Sequence, residues 1–177
     1  MTENNDLFWD LLKPEYEKAL MFCRKLAGDR EKGDDLYQDS LYKAIRKFDQ
    51  LNDQSAFKSW LYTVIVSTFR SDLRRQKLRQ YLPFTPEVEP TVDGPNQLAK
   101  FKVEQLFKKL SAEERSLVVL YEMEQWTIGE LARLLNKSEG SIKQKLFRTR
   151  QKMKIELTKI DQNYSALTEN LNEGYLL

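Results

Sequence analysis

The chain has no histidine and a single cysteine among its 177 residues. Histidine is the commonest general base and the commonest metal ligand, so its absence disfavours enzymes and excludes the usual zinc sites. Cys23 cannot form a disulfide within the chain, which fits a reducing compartment. Since Cys23 lies in an apolar helical pattern, we expect a buried, unreactive thiol. We therefore predict no catalytic residue, no metal and no cofactor.

Long hydrophobic runs are also missing. No stretch of about 18 apolar residues occurs, so we expect no membrane insertion. The segment MTENNDLFWD lacks a basic stretch ahead of an apolar one, so we expect no secretory signal. Together with the lone cysteine, these absences predict a cytoplasmic protein.

The net charge of +2 conceals two strongly basic stretches. Residues 70–79 carry five positive side chains and one negative side chain. Residues 137–154 carry seven positive side chains and one negative side chain. Acidic residues collect elsewhere, at 31–39 and 113–130. Basic patches separated by acidic surfaces indicate nucleic acid on some faces and a protein partner on others.

Helical periodicity runs through two parts of the chain, and no strand pair is indicated. The predicted fold class is all-α, with one helical module over residues 1–82 and a second over 97–160. In the first module we expect Gly28 to end a helix, Gly33 to precede the next one and Asp34 to cap it.

Two segments break the helical pattern. Residues 83–96 hold four of the five prolines, which predicts an extended linker of up to roughly 40 Å at ~3.1 Å per residue. The polar tail over residues 161–177 is expected to be loosely ordered.

The second module contains a helix-turn-helix pattern. Thr127 and Glu130 have capping-box spacing, as do Ser111 and Glu114 ahead of the preceding helix. Asn136 falls at the turn, where the backbone needs a positive φ that asparagine tolerates. Ile142 and Leu146 are expected to face the core of the module.

The remaining polar residues of the second helix are predicted to face outward. The early part of a recognition helix meets base edges, and later cations meet phosphates. We assign the major groove to Ser141, Gln144 and Lys145, and the DNA backbone mostly to Lys143, Arg148 and Arg150. The alternative is a helical hairpin with a basic, solvated face.

The first module offers a polar helical face and an aromatic, basic helix. One helical face is shared by Asp35, Gln38, Asp39 and Tyr42. This face could dock a basic helical partner, or the two aspartates could hold a metal. The remaining alternative is a plain exposed face. Aromatics beside cations and a polar loop suit single-stranded nucleic acid with an extruded base. The alternative is that the aromatics, Trp60 among them, are core residues. The candidate residues for this second site are Asn52, Asp53, Gln54, Ser55, Trp60, Arg70, Arg74 and Arg75.

These stretches together resemble the extracytoplasmic-function, or group 4, sigma factors of bacterial RNA polymerase. GDDLYQDSLYKAIRKFDQ is similar to the helix of region 2 that docks on polymerase. FKSWLYTVIVSTFRSDLRRQK resembles the part that opens and holds the −10 promoter element. LSAEERSLVVLYEMEQWTIGELARLLNKSEGSIKQKLFRTRQKMK resembles region 4, whose helix-turn-helix reads the −35 element.

The resemblance implies a region 2 bundle of three or four helices and a four-helix region 4. It assigns Asp35, Gln38 and Asp39 to core RNA polymerase and the loop at 52–55 to a flipped base. It also implies promoter DNA and an anti-sigma factor as partners. The family's usual asparagine and aspartate are Ser67 and Ser71 here, and its usual turn glycine is Asn136.

Three other functions remain open from the sequence. A stand-alone regulator would footprint on DNA without polymerase. An adaptor would dock on polymerase without opening DNA, and Ser67 and Ser71 are the features that favour it. A nuclease or other enzyme has no histidine and no carboxylate constellation to support it.

Overall fold

The computed structural model describes residues 2–79 and 95–174, and the side chains of 6–76, 78, 98, 99 and 101–162. Within these ranges the chain is helical and has no strand. The first module comprises α1 (Thr2–Leu12), α2 (Tyr16–Ala27), α3 (Arg30–Lys47) and α4 (Phe57–Arg79). The second comprises α5 (Pro95–Lys109), α6 (Ala112–Val118), α7 (Ile128–Leu135) and α8 (Glu139–Gly174).

The first module packs its four helices around a core rich in aromatic rings. Phe8 meets Phe48 and Phe57 edge to face, at centroid distances of 5.3 and 5.6 Å. Phe22 and Tyr62 join the same core with centroids 5.0 Å apart. Cys23 is fully buried among them, and burial raises the pKa of its thiol, so the prediction of a structural thiol is confirmed.

The start of α3 differs from the prediction. Gly28 ends α2 in the left-handed conformation, as expected, but α3 begins at Arg30 with Asp29 as its cap. Gly33 lies inside the helix, where a Cβ atom would stand 2.4 Å from the Cα of Arg24. Asp34 does not cap a helix; its carboxylate accepts hydrogen bonds from the Arg24 guanidinium. Gly33 therefore permits close approach of α2 and α3.

The second module packs α6, α7, α8 and the π-helical turn Val119–Met123 around buried side chains that are continuous with the core of the first module. Its fully buried side chains include Leu117, Leu120, Leu131 and Ile142. Ile142 and Leu146 are buried as predicted. These contacts fix α8 against α7, which leaves the opposite face of α8 to solvent.

The predicted linker, residues 83–96, lies outside the described residues except for Pro95 and Asn96, which begin α5. The helix α8 continues into the predicted tail as far as Gly174, and the loose order expected for the tail stays a prediction. Ile160, Tyr164, Leu167 and Leu171 have the spacing of one helical face, a pattern that the polar composition concealed. An ion pair of 2.6 Å between Asp161 and Lys102 joins α8 to α5.

The two modules contact each other through a buried arginine. Arg115 of α6 donates to the carbonyl of Leu26 at the end of α2 and to that of Phe107 near the end of α5. Its guanidinium carbon lies 5.3 Å from the ring centroid of Phe69 and 5.0 Å from that of Phe107. Burial lowers the Arg115 pKa to about 10, so the group stays charged near neutral pH. A cation thus faces the negative ends of two helix dipoles, one from each module.

Further contacts extend this inter-module surface. The Trp126 ring packs on Tyr62 of α4 at a centroid distance of 4.8 Å, and the Lys58 ammonium lies 5.0 Å from its centroid. Lys25 of α2 pairs with Glu124 at 2.6 Å. No helix among the described segments has the length and apolar character needed to cross a membrane.

Candidate nucleic-acid interface

Local capping interactions build the helix-turn-helix. The Thr127 hydroxyl accepts from the backbone of Glu130, and the Glu130 carboxylate accepts from that of Thr127, so the predicted capping box is confirmed. Ser111 and Glu114 form the same arrangement ahead of α6. Asn136 ends α7 in the left-handed conformation with φ of 51°. Ser138 then caps α8 by accepting from the backbone of Ser141.

The conformation of Asn136 leads to a stability prediction. Replacing Asn136 by alanine should lower the free energy of unfolding by about 1 kcal/mol, because a residue with a Cβ atom and no polar side chain to hydrogen-bond locally disfavours positive φ. Replacing it by glycine should leave stability within about 0.5 kcal/mol, since glycine adopts this conformation readily. Urea unfolding followed by circular dichroism measures both. Equal losses in the two variants would contradict the assignment of a left-handed turn.

The predicted recognition face lies mostly in solvent. Ser141, Lys143, Gln144, Arg148 and Arg150 are exposed, whereas Ile142, Leu146 and Thr149 are buried. The N-terminal half of α8 therefore presents one hydroxyl, one amide and cations over about two turns. This is the size and chemistry that a major groove accepts. Phe147, which the sequence did not single out, is also 61% exposed beside Arg148.

Two predicted DNA contacts are engaged with carboxylates. The Lys145 ammonium lies 2.9 Å from Glu113, which also contacts Lys137 at 2.8 Å, so Lys145 is half-buried rather than fully outward. Burial opposes ionisation of Glu113, but the two ammonium groups outweigh it and hold the pKa of the carboxyl below its usual range. Arg150 donates to Glu122 and lies over the Tyr121 ring. Glu113 and Glu122 were missed because only the fold brings them to α8.

The loop before α4 lies at the surface. Asn52, Asp53, Gln54 and Ser55 are all exposed. The Asp53 carboxylate accepts from the backbone and the hydroxyl of Ser55, so these two side chains shape the loop. Asn52 precedes this pair and Gln54 lies between its two members, and both amide side chains are exposed to solvent.

Trp60 and the cations of α4 follow the loop along one helix. Trp60 is half-buried against Phe57 and Phe48, at centroid distances of 5.8 and 6.2 Å. Arg70 and Arg74 are exposed further along α4, about 15 Å or more from Trp60 at the rise of an α-helix. The predicted residues therefore line an extended track rather than one pocket.

The departures from the family pattern lie on the same side of α4. Ser67 is exposed and Ser71 is half-buried, one turn further along α4 in the direction of Arg74. The Ser71 hydroxyl donates to the carbonyl of Ser67 at 3.0 Å, which occupies its proton within the helix. Arg75 pairs with Asp72 at 2.5 Å. This surface can accept hydrogen bonds and attract phosphates without presenting an amide.

The polar face of α3 is exposed as expected. Asp35, Gln38 and Asp39 lie at the surface beside Tyr42, whose ring is 63% exposed. No group of three or more metal-ligating side chains occurs among the described residues. An acidic face with an exposed aromatic suits a basic protein surface.

Comparison with known proteins agrees with this geometry. The family model of sigma-70 region 2 matches residues 12–79, and that of sigma-70 region 4 matches residues 100–153. Together the two models match more than half of the chain. The first match covers α2 to α4 and the second covers most of α5 to the first part of α8, and neither includes residues 80–99.

Relatives and a solved structure point the same way. The chain is 27% identical to the ECF RNA polymerase sigma factor SigM of Mycobacterium tuberculosis, over 82% of this chain and 74% of that one. It is 26% identical to the RNA polymerase sigma factor YlaC of Bacillus subtilis, over 89% and 95%. The sigma factor RpoE from Bartonella quintana, crystallised with the anti-sigma factor NepR, matches at a TM-score of 0.64 and 27% identity, over 87% of this chain and 98% of that chain.

The all-α fold, the two modules and their order are those of these proteins. A second solved structure, CnrH with the cytosolic domain of CnrY, shares the fold at a TM-score of 0.61 and 22% identity. The chain therefore belongs to the sigma-70 family, and it is an RNA polymerase sigma factor of the extracytoplasmic-function type.

Proposed function

We propose that the sigma factor divides its task among three surfaces. Asp35, Gln38 and Asp39 on α3 bind core RNA polymerase. The −10 element is held by a track that starts at the loop at 52–55 and continues along Trp60, Arg70, Arg74 and Arg75. The N-terminal half of α8 reads the −35 element. The observation that carries this proposal is the exposed face of α8, held in place by the Thr127 capping box and the Asn136 turn.

The protein would act in the cytoplasm and perform no chemistry of its own, since the polymerase catalyses RNA synthesis. An anti-sigma factor is proposed as a further partner. The support for it is the similarity to RpoE, which was crystallised with NepR.

Run-off transcription with core polymerase and a promoter library tests the proposed function. Adding the purified protein should produce transcripts from a subset of promoters that share −10 and −35 sequences. Core polymerase alone serves as the control. If the protein never makes core polymerase promoter-specific, the proposal fails.

Two substitutions in α8 distinguish base reading from backbone binding. Lys145→Ala should lower discrimination at one −35 position, because a groove contact contributes about 1–3 kcal/mol to base preference. Arg148→Ala should weaken binding to all sequences alike and reduce the salt slope by about one unit. Transcription from the promoter library measures the change in base discrimination. Binding of the holoenzyme at several salt concentrations measures the change in the salt slope. If Lys145→Ala lowers all promoters equally, Lys145 does not read a base.

A further inference from the structure

Glu113 receives cations from both predicted DNA-binding surfaces. It stands in the first turn of α6, behind the capping box of Ser111. Lys137 of the turn and Lys145 of α8 contact its Oε1 atom at 2.8 and 2.9 Å. Arg70 of α4 approaches its other oxygen at 4.0 Å from the first module. One carboxylate thus pairs with cations of both the −10 track and the −35 helix.

The surroundings of Glu113 keep it charged. Its side chain is 18% exposed, whereas those of Lys137, Lys145 and Arg70 are 35%, 31% and 49% exposed. The carboxyl pKa is held low against the opposing effect of burial, so the anion persists at neutral pH. The capping box fixes the backbone at this point, and the lysines reach toward it on long, flexible stems.

This arrangement resembles that of a bound phosphate. Phosphate oxygens on DNA are held by the same groups, lysine and arginine, at similar distances. While Lys137 and Lys145 contact Glu113, their ammonium groups cannot bind DNA at full strength. On non-specific DNA both lysines would neutralise phosphates, whereas at a −35 element Lys145 would turn to a base edge. An approaching phosphate also meets the fixed negative charge of Glu113, which is repulsive.

We propose that Glu113 competes with DNA phosphate within the molecule and so weakens DNA binding by the free sigma factor. The inference rests on the proposed function, because it takes α8 to be the −35 reader. Polymerase then supplies the binding energy that draws the lysines away from Glu113. The free protein consequently avoids non-specific DNA, which attracts any exposed basic helix.

Fluorescence anisotropy with a mixed-sequence DNA duplex tests the proposal, because phosphate contacts are independent of sequence. Full-length Glu113→Gln should bind about three- to tenfold more tightly than the wild type, since releasing two partly exposed ion pairs changes affinity by about that factor. The slope of log K against log salt should steepen by about one unit for each released lysine. Glu17→Gln is the matched control: Glu17 is exposed, changes the net charge equally and should alter affinity less than about twofold.

A third variant identifies the source of the gain. In a Lys137→Gln/Lys145→Gln background, Glu113→Gln should lose most of its effect, because no lysine remains to be released. The proposal is overturned if Glu113→Gln binds no more tightly than the wild type, if Glu17→Gln matches it, or if the gain persists without the lysines. Run-off transcription by the wild-type holoenzyme from the same preparation separates these failures from a failure of the proposed function, which would abolish the transcript.

Discussion

Replacing Arg115 by alanine is expected to lower the free energy of unfolding by about 3–5 kcal/mol, the largest stability effect of any single substitution considered for this protein. Two carbonyl oxygens, those of Leu26 and Phe107, would lose a charged donor in a buried place. The space between the Phe69 and Phe107 rings would also be left partly empty. Unsatisfied buried acceptors and a cavity each destabilise a fold.

Urea unfolding at constant pH measures the change. Arg133→Ala is the control, because Arg133 is an exposed arginine on α7 and its loss should alter stability by no more than about 0.5 kcal/mol. Thermal denaturation should show a melting temperature lower by roughly 10 °C for Arg115→Ala. Equal effects of the two arginine substitutions would mean that the buried guanidinium does not bridge the modules.

The second large effect concerns polymerase binding. Reversing both charges in Asp35→Lys/Asp39→Lys should lower affinity for core polymerase about 100-fold, because like charges facing each other at an interface cost several kcal/mol. Both residues are exposed on α3, so the substitutions should leave the fold intact. Co-purification or surface plasmon resonance with core polymerase measures the loss, and circular dichroism verifies folding.

Asp6→Lys/Asp10→Lys provides the matched control. These two aspartates are also exposed, are also four residues apart on one helix, and give the same change in net charge. They lie on α1, away from the proposed docking face. If both double variants lose polymerase affinity equally, the effect is one of overall charge and α3 is not the docking helix.

Sequence reasoning succeeded where the cause of a structure is local. The capping boxes at Ser111 and Thr127 and the left-handed turn at Asn136 depend on residues within a few positions of one another. Periodicity likewise placed Ile142 in the core. Short-range hydrogen bonds and the spacing of apolar side chains can therefore be predicted from neighbouring residues in the sequence.

It failed where the cause lies in a distant part of the chain. Gly33 looked like a helix boundary, but its small size serves the contact with Arg24 of α2. The pairing of Lys145 with Glu113 and the burial of Arg115 between modules need the packed fold to become visible.

The surface positions of the candidate site residues could be predicted in part, and their roles stay predictions. The exposed positions of Asp35, Gln38, Asp39 and the loop at 52–55 follow from helical faces and loop polarity. The sequence did not predict that Asp53 and Ser55 shape the loop. It also did not predict that Glu113 and Glu122 pair with cations of α8. The same residue types bind DNA and form ion pairs within the protein. Residue type therefore does not distinguish the two roles, and only the geometry of the folded chain does.

Footprinting on a promoter identified by run-off transcription tests the central claim most directly. The sigma factor alone should give no protection, whereas with core polymerase it should protect the −10 and −35 regions together. Asp35→Lys/Asp39→Lys should abolish both protections at once, since polymerase holds the two modules on DNA. Protection of promoter DNA by the protein alone, at concentrations where core polymerase adds nothing, would contradict the account and indicate a stand-alone regulator.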